Sequence, residues 1–89
     1  MINNLNYEKL KNLLLKNFRN MTVTIKTYGA VQTSTMISDA DITFCKNKII
    51  ISNEDRDVII NFLTLKKIDF DDEYRIKLKY DDFNLLIEL

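Results

Sequence analysis

The side chains best placed to do chemistry gather in the last third of the sequence. Asp69, Asp71, Asp72 and Glu73 form one acidic cluster, and Arg75, Lys77 and Lys79 follow at alternate positions. A cluster of this kind can solvate a turn between two strands. It can also bind a basic protein partner through charge complementarity. A calcium loop would need alternating ligands, a Gly at the sharp bend and a later bidentate Glu; this segment has no Gly. Arg75, Lys77 and Lys79 would line one face of a strand. Such a stripe either solvates a sheet face and discourages edge pairing or tracks the phosphates of RNA or DNA. Nucleic-acid modules usually add exposed aromatics for stacking. Here Tyr74 and Tyr80 fall on the opposite, apolar face, and the acidic cluster beside the stripe would repel phosphate. Asp57, Asp69, Glu73 and Lys77 could be drawn as a metal-dependent nuclease site, with a divalent ion activating water. Nothing in their spacing singles them out.

Other catalytic chemistry is limited by what is missing. The chain has 89 residues, no His, one Cys and one Gly. Without His there is no Ser-His-Asp triad and no imidazole base near neutral pH. Cys45 alone can form neither an internal disulfide nor a usual structural zinc site, and no His stands by to activate its thiolate. One Gly cannot build a P-loop or a G-x-G-x-x-G turn. The expectation is a protein that is not an enzyme, with no cofactor and no metal.

Thirteen basic and thirteen acidic side chains give a formal net charge of zero. The balance conceals an asymmetry. Residues 1–53 hold 7 basic and 3 acidic side chains, whereas residues 54–89 hold 6 and 10. Hydrophobic residues at 46% and charged residues at 29% make an ordinary globular balance. No apolar run approaches the length needed to cross a bilayer. Met1-Ile2-Asn3-Asn4 lacks the basic and apolar regions of a signal peptide, so a cytoplasmic protein without a membrane partner is expected. The 12 Ile, 10 Lys and 10 Asn are residues that A/T-rich codons supply. That points to a low-GC bacterium, a phage or a mobile element as the source.

The elements that must position these residues follow from periodicity. Leu10, Leu13, Leu14 and Phe18 recur at helical spacing, which predicts a helix over about 4–19. Asn4 or Asn6 can cap it, Lys16 and Arg19 suit its last turn, and Asn20 can end it. From Met21 the period becomes two. Met21, Val23 and Ile25 form one strand, Tyr28-Gly29 a turn with Gly29 free to adopt positive φ, and Ala30 to Ile37 an extended Thr- and Ser-rich return. The Thr-rich set Thr22, Thr24, Thr27, Thr33, Ser34 and Thr35 fits a solvated strand face and could instead offer a flat edge to a partner strand. Ser38-Asp39 turns. Placing Phe44 opposite Ile49 also places Ile42 opposite Ile51, which fixes a hairpin register. Ser52 followed by Asp55 looks like a helix cap, but the β-branched run Val58-Ile59-Ile60 favours a turn and then a strand. The shift of apolar phase between Phe62 and Leu65 predicts a bulge or sharp bend. In the last hairpin, Tyr80 faces Phe83, Leu78 faces Leu85, Ile76 faces Ile87 and Arg75 faces Glu88.

These elements predict a single α+β domain over 1–89: an N-terminal helix, then a mostly antiparallel sheet of about six or seven short strands across 21–89. The order resembles that of small Sm-like and SH3-like barrels in layout alone, with no glycine-bearing Sm signature. The first functional expectation is a non-catalytic protein-binding module that modulates or inhibits a larger partner through Asp69, Asp71, Asp72 and Glu73. Anti-defence inhibitors of phages and mobile elements, anti-CRISPR proteins among them, are one class of such small proteins. A small-barrel RNA- or DNA-binding protein using Arg75, Lys77 and Lys79 is the second expectation. A structural or self-assembling subunit is the third.

Overall fold

The computed structural model describes residues 4–89, with side chains from Asn6 onward. Helix α1 (Asn4–Leu13) runs directly into a π-helical stretch, Leu14–Phe18. Leu10, Leu14 and Phe18 line up at four-residue spacing and are fully buried. The wider final turn closes where the Arg19 N–H donates to the Leu14 carbonyl, 3.0 Å away. Asn20 then takes the left-handed conformation at φ 67° and donates its N–H to Ala40 at 2.7 Å. Because the helix begins at Asn4, Asn6 lies within it rather than at its cap. The Asn4 side chain, the other capping candidate, and Met1-Ile2-Asn3 lie outside the described residues.

Eight strands follow: β1 (Val23–Tyr28), β2 (Thr33–Ile37), β3 (Asp41–Phe44), β4 (Lys48–Ser52), β5 (Asp57–Asn61), β6 (Lys67–Asp72), β7 (Arg75–Lys79) and β8 (Asn84–Glu88). They form two open antiparallel sheets, β2-β1-β8-β7-β6 and β3-β4-β5. The α+β expectation stands. The barrel layout does not, because the strands never join into one closed ladder. The chain leaves the larger sheet at Ser38–Ala40, where Asp39 has φ 52°. It returns across 62–66, where the apolar phase shifts. There the Leu65 N–H donates to the Phe62 carbonyl at 3.2 Å, Leu65 is buried, and Leu63 is left exposed.

The inner faces of both sheets and the helix share one hydrophobic core. Lys9 lies over the Phe70 ring at 4.5 Å, and Lys11 lies over Phe44 at 5.6 Å. Two of the lysines on the helix's polar side therefore reach back to rings on both sheets.

The hairpin registers agree with the sequence patterns. Phe44 pairs with Ile49 and Ile42 with Ile51 in β3–β4. Arg75 pairs with Glu88, Ile76 with Ile87 and Leu78 with Leu85 in β7–β8. The segment after Ser52 is a turn and strand, as the β-branched run suggests. Asn53, not Ser52, organises that turn: its Oδ1 accepts from the N–H groups of Asp55 and Arg56, both at 2.9 Å.

Gly29 does not use positive φ, contrary to expectation. Close approach is what demands a glycine. A Cβ there would lie 2.9 Å from the Phe83 Cβ and 3.0 Å from the Asp82 carbonyl oxygen.

Candidate functional site

The pleat of the larger sheet sends Ile25, Ile87, Ile76, Leu78 and Ile68 into the core. The alternate positions form the outer face. Reading across β1, β8, β7 and β6, these are Lys26 and Tyr28; Asn84, Leu86 and Glu88; Arg75, Lys77 and Lys79; and Lys67 and Asp69. Candidate bases and carboxylates thus come together on one surface.

They form a lattice of alternating charge. Lys26 Nζ lies 2.8 Å from Glu88, and Glu88 also meets the Arg75 guanidinium at 3.6 Å. Arg75 and Lys77 each reach Asp71 at 3.7 Å. Lys67 and Lys79 flank Asp69 at 3.3 Å. The hydrogen bond from Lys79, joined by the one from Lys67, holds the Asp69 carboxyl below its ordinary pKa, although partial burial opposes the shift. The Glu88 hydrogen bond raises the Lys26 ammonium above its ordinary value. Individually such exposed pairs contribute little; together they fix the spacing of charges across the face.

The acidic cluster splits. Asp69 and Asp71 belong to the lattice. Asp72 closes the β6–β7 turn, its Oδ1 accepting from the Tyr74 N–H at 2.7 Å. Glu73 sits in that turn with an exposed side chain, and its carbonyl accepts from Asn17 Nδ2 at 2.9 Å, tying the turn to the helix end. The four carboxylates are therefore not one free patch. Tyr74 also departs from expectation: it lies in the turn, 53% exposed, instead of sharing an apolar strand face with Tyr80.

The nuclease arrangement does not assemble. Asp57 lies on β5 in the smaller sheet, Asp69 and Lys77 lie on the outer face of the larger one, and Glu73 is in the turn. Among the described residues, no group of three or more His, Cys, Asp or Glu is arranged to hold a metal ion. Cys45 is a half-buried free thiol beside the β3–β4 turn.

A shallow groove of about 410 Å³ runs along this face. Arg75, Lys77, Lys79, Asn84, Leu86 and the ring of Tyr28 line it. Tyr28 is 41% exposed, and Leu86 is buried to 3% beneath the neighbouring side chains. Sequence patterns did not place Tyr28, Lys26 or Leu86 at a site. The available signal was the unbroken apolar run Leu85-Leu86-Ile87, which marks a central strand covered on both faces.

No protein family, curated protein or solved structure is found to match the chain. Among the described residues, no helix is long and apolar enough to cross a membrane.

Proposed function

We propose that this chain is a non-catalytic binding module that acts by occupying the surface of a larger protein. Its recognition surface is the outer face of the larger sheet, not the acidic turn alone. The observation that supports this is the lattice itself: every base of the stripe, Arg75, Lys77 and Lys79, has a carboxylate within 3.7 Å. A phosphate backbone laid along the stripe would meet Asp69, Asp71 and Glu88 at the same spacing. A protein surface can present both signs in return, and complementary patterns of this kind set specificity and encounter rate. The exposed Tyr28 ring adds an apolar component beside the charges.

The competing reading is nucleic-acid binding, favoured by the groove that brings Tyr28 beside three bases. One set of experiments separates them. Immobilised wild-type protein and the variant K77E/K79E are exposed to a low-GC bacterial lysate, with and without nuclease treatment. The protein-binding reading expects a species retained by the wild type, lost with the variant and indifferent to nuclease. Retention that ignores the charge reversal would overturn it. A gel shift with single- or double-stranded probes, weakening steeply with salt, would favour the second reading.

A further inference from the structure

Seven of the eight strands carry at least one charged residue, and β2 carries none. It lies within Thr27–Ser38, the longest charge-free run of the sequence, bounded by Lys26 and Asp39. β2 is also an outer strand of the larger sheet, and Thr33, Ser34 and Met36 are exposed along it.

Each of the other free edges carries at least one charged residue. β6 carries Lys67, Asp69, Asp71 and Asp72, and its register breaks between Phe70 and Asp72. β3 spans four residues and begins at Asp41. β5 begins at Asp57, and its last carbonyl, Asn61, already accepts from the Tyr80 hydroxyl at 2.6 Å. Charge, bulges and short length are the usual devices that stop one sheet edge from pairing with another. β2 has no charge and no proline, and its pairing with β1 runs unbroken from Thr33 to Ile37.

We propose that β2 is a self-association edge. Two copies of the chain pair antiparallel through β2 about a two-fold axis at Thr35, joining their larger sheets into one. The second copy is the fitting occupant because the edge is complementary to itself. In that register Ser34 faces Met36 of the second copy, so a bulky side chain lies over a small one. Thr33 faces Ile37, and Thr35 faces its own counterpart, giving β-branched cross-strand pairs. Uncharged edge meets uncharged edge, and the formal net charge of zero leaves no net long-range repulsion. The nearest cation on that face, Lys26, is held by Glu88 at 2.8 Å. A five-residue edge makes a small interface, so the dimer is concentration-dependent.

Sedimentation equilibrium over a concentration series tests the proposal, with far-UV circular dichroism as the check on folding. The wild type is expected to approach twice the monomer mass at high concentration. S34E/M36E sets Glu against Glu across the axis and is expected to remain a monomer. S34E/M36K sets Glu against Lys in the same register and is expected to restore the dimer. A wild type that stays monomeric at its highest soluble concentration would overturn the proposal. So would a doubly acidic variant that associates like the wild type, or loss of association that the mixed-charge variant fails to rescue.

Discussion

Tyr80 shows how one side chain can hold two sheets together. Its hydroxyl donates to the Asn61 carbonyl at the end of β5, 2.6 Å away, while its own position follows β7 in the other sheet. Its ring stacks on Phe83 with centroids 4.5 Å apart. Burial pushes its pKa up to about 12 from the ordinary 10.0. The folded state therefore disfavours the phenolate. This contribution to stability is fully present below the unfolded value and is lost as pH rises from 10.0 through about 12. Tyr7 is also raised, first by burial and then by the charges of Glu8 and Cys45. Following tyrosinate absorbance against pH is expected to show a last step that disappears in Tyr80→Phe. The same substitution leaves the Asn61 carbonyl without this donor and is expected to cost about 0.5–1.5 kcal/mol in urea unfolding. An unchanged titration would mean that the Tyr80 hydroxyl is not held away from water in solution.

Between elements, the contact of greatest consequence is that of two turns. The β1–β2 turn passes over the β7–β8 turn so closely that Gly29 has no room for a side chain. The atoms it would strike are the Phe83 Cβ and the Asp82 backbone oxygen, neither of which can swing aside as a side-chain tip would. Gly29→Ala is expected to destabilise by about 1–3 kcal/mol, as overpacking does. Val31→Ala, at a position 71% exposed in the same turn, is expected to change little. Urea midpoints of the two variants decide it.

That turn also marks what a sequence can and cannot disclose. Alternation in Ile42–Phe44 and Ile76–Tyr80 revealed strands and even registers, because each hairpin is local and a one-residue slip would expose its apolar face. The helix was legible from Leu10, Leu14 and Phe18 for the same reason. Gly29 suggested a dihedral requirement when the true constraint was a neighbour distant in sequence. Asn20 and Asp39 took the left-handed positions instead, as short polar side chains tolerate them. The candidate site was half visible. Arg75, Lys77 and Lys79 were evident as a stripe, but Lys26 and Tyr28 join them only through the pairing of β1 with β8. No local pattern encodes that pairing.

At the scale of the molecule, the opposite charges of the two halves of the sequence become neighbours. Lys26 from the basic half meets Glu88 from the acidic half, and no electrostatic divide survives across this face. One core joins the helix and both sheets, so the molecule is expected to unfold as a unit. Ile87, fully buried at the centre of the larger sheet, tests this. Ile87→Ala is expected to lower stability by about 2–5 kcal/mol. Far-UV dichroism and tyrosine fluorescence should still report coincident transitions. Separate transitions would show that β3-β4-β5 holds together without the larger sheet.

The β1–β8 pairing also has a consequence for biosynthesis. β1 leaves the ribosome well before β8, yet its partner at Ile25 is Ile87. The β3-β4-β5 meander is contiguous and can form while the chain is still growing. The larger sheet has to wait, with β1 bound only to β2, until β8 emerges and inserts between β1 and β7. During that interval the future centre of the sheet is an open edge. The nascent chain is then most exposed to wrong partners, and a pause in translation before β8 would prolong the risk.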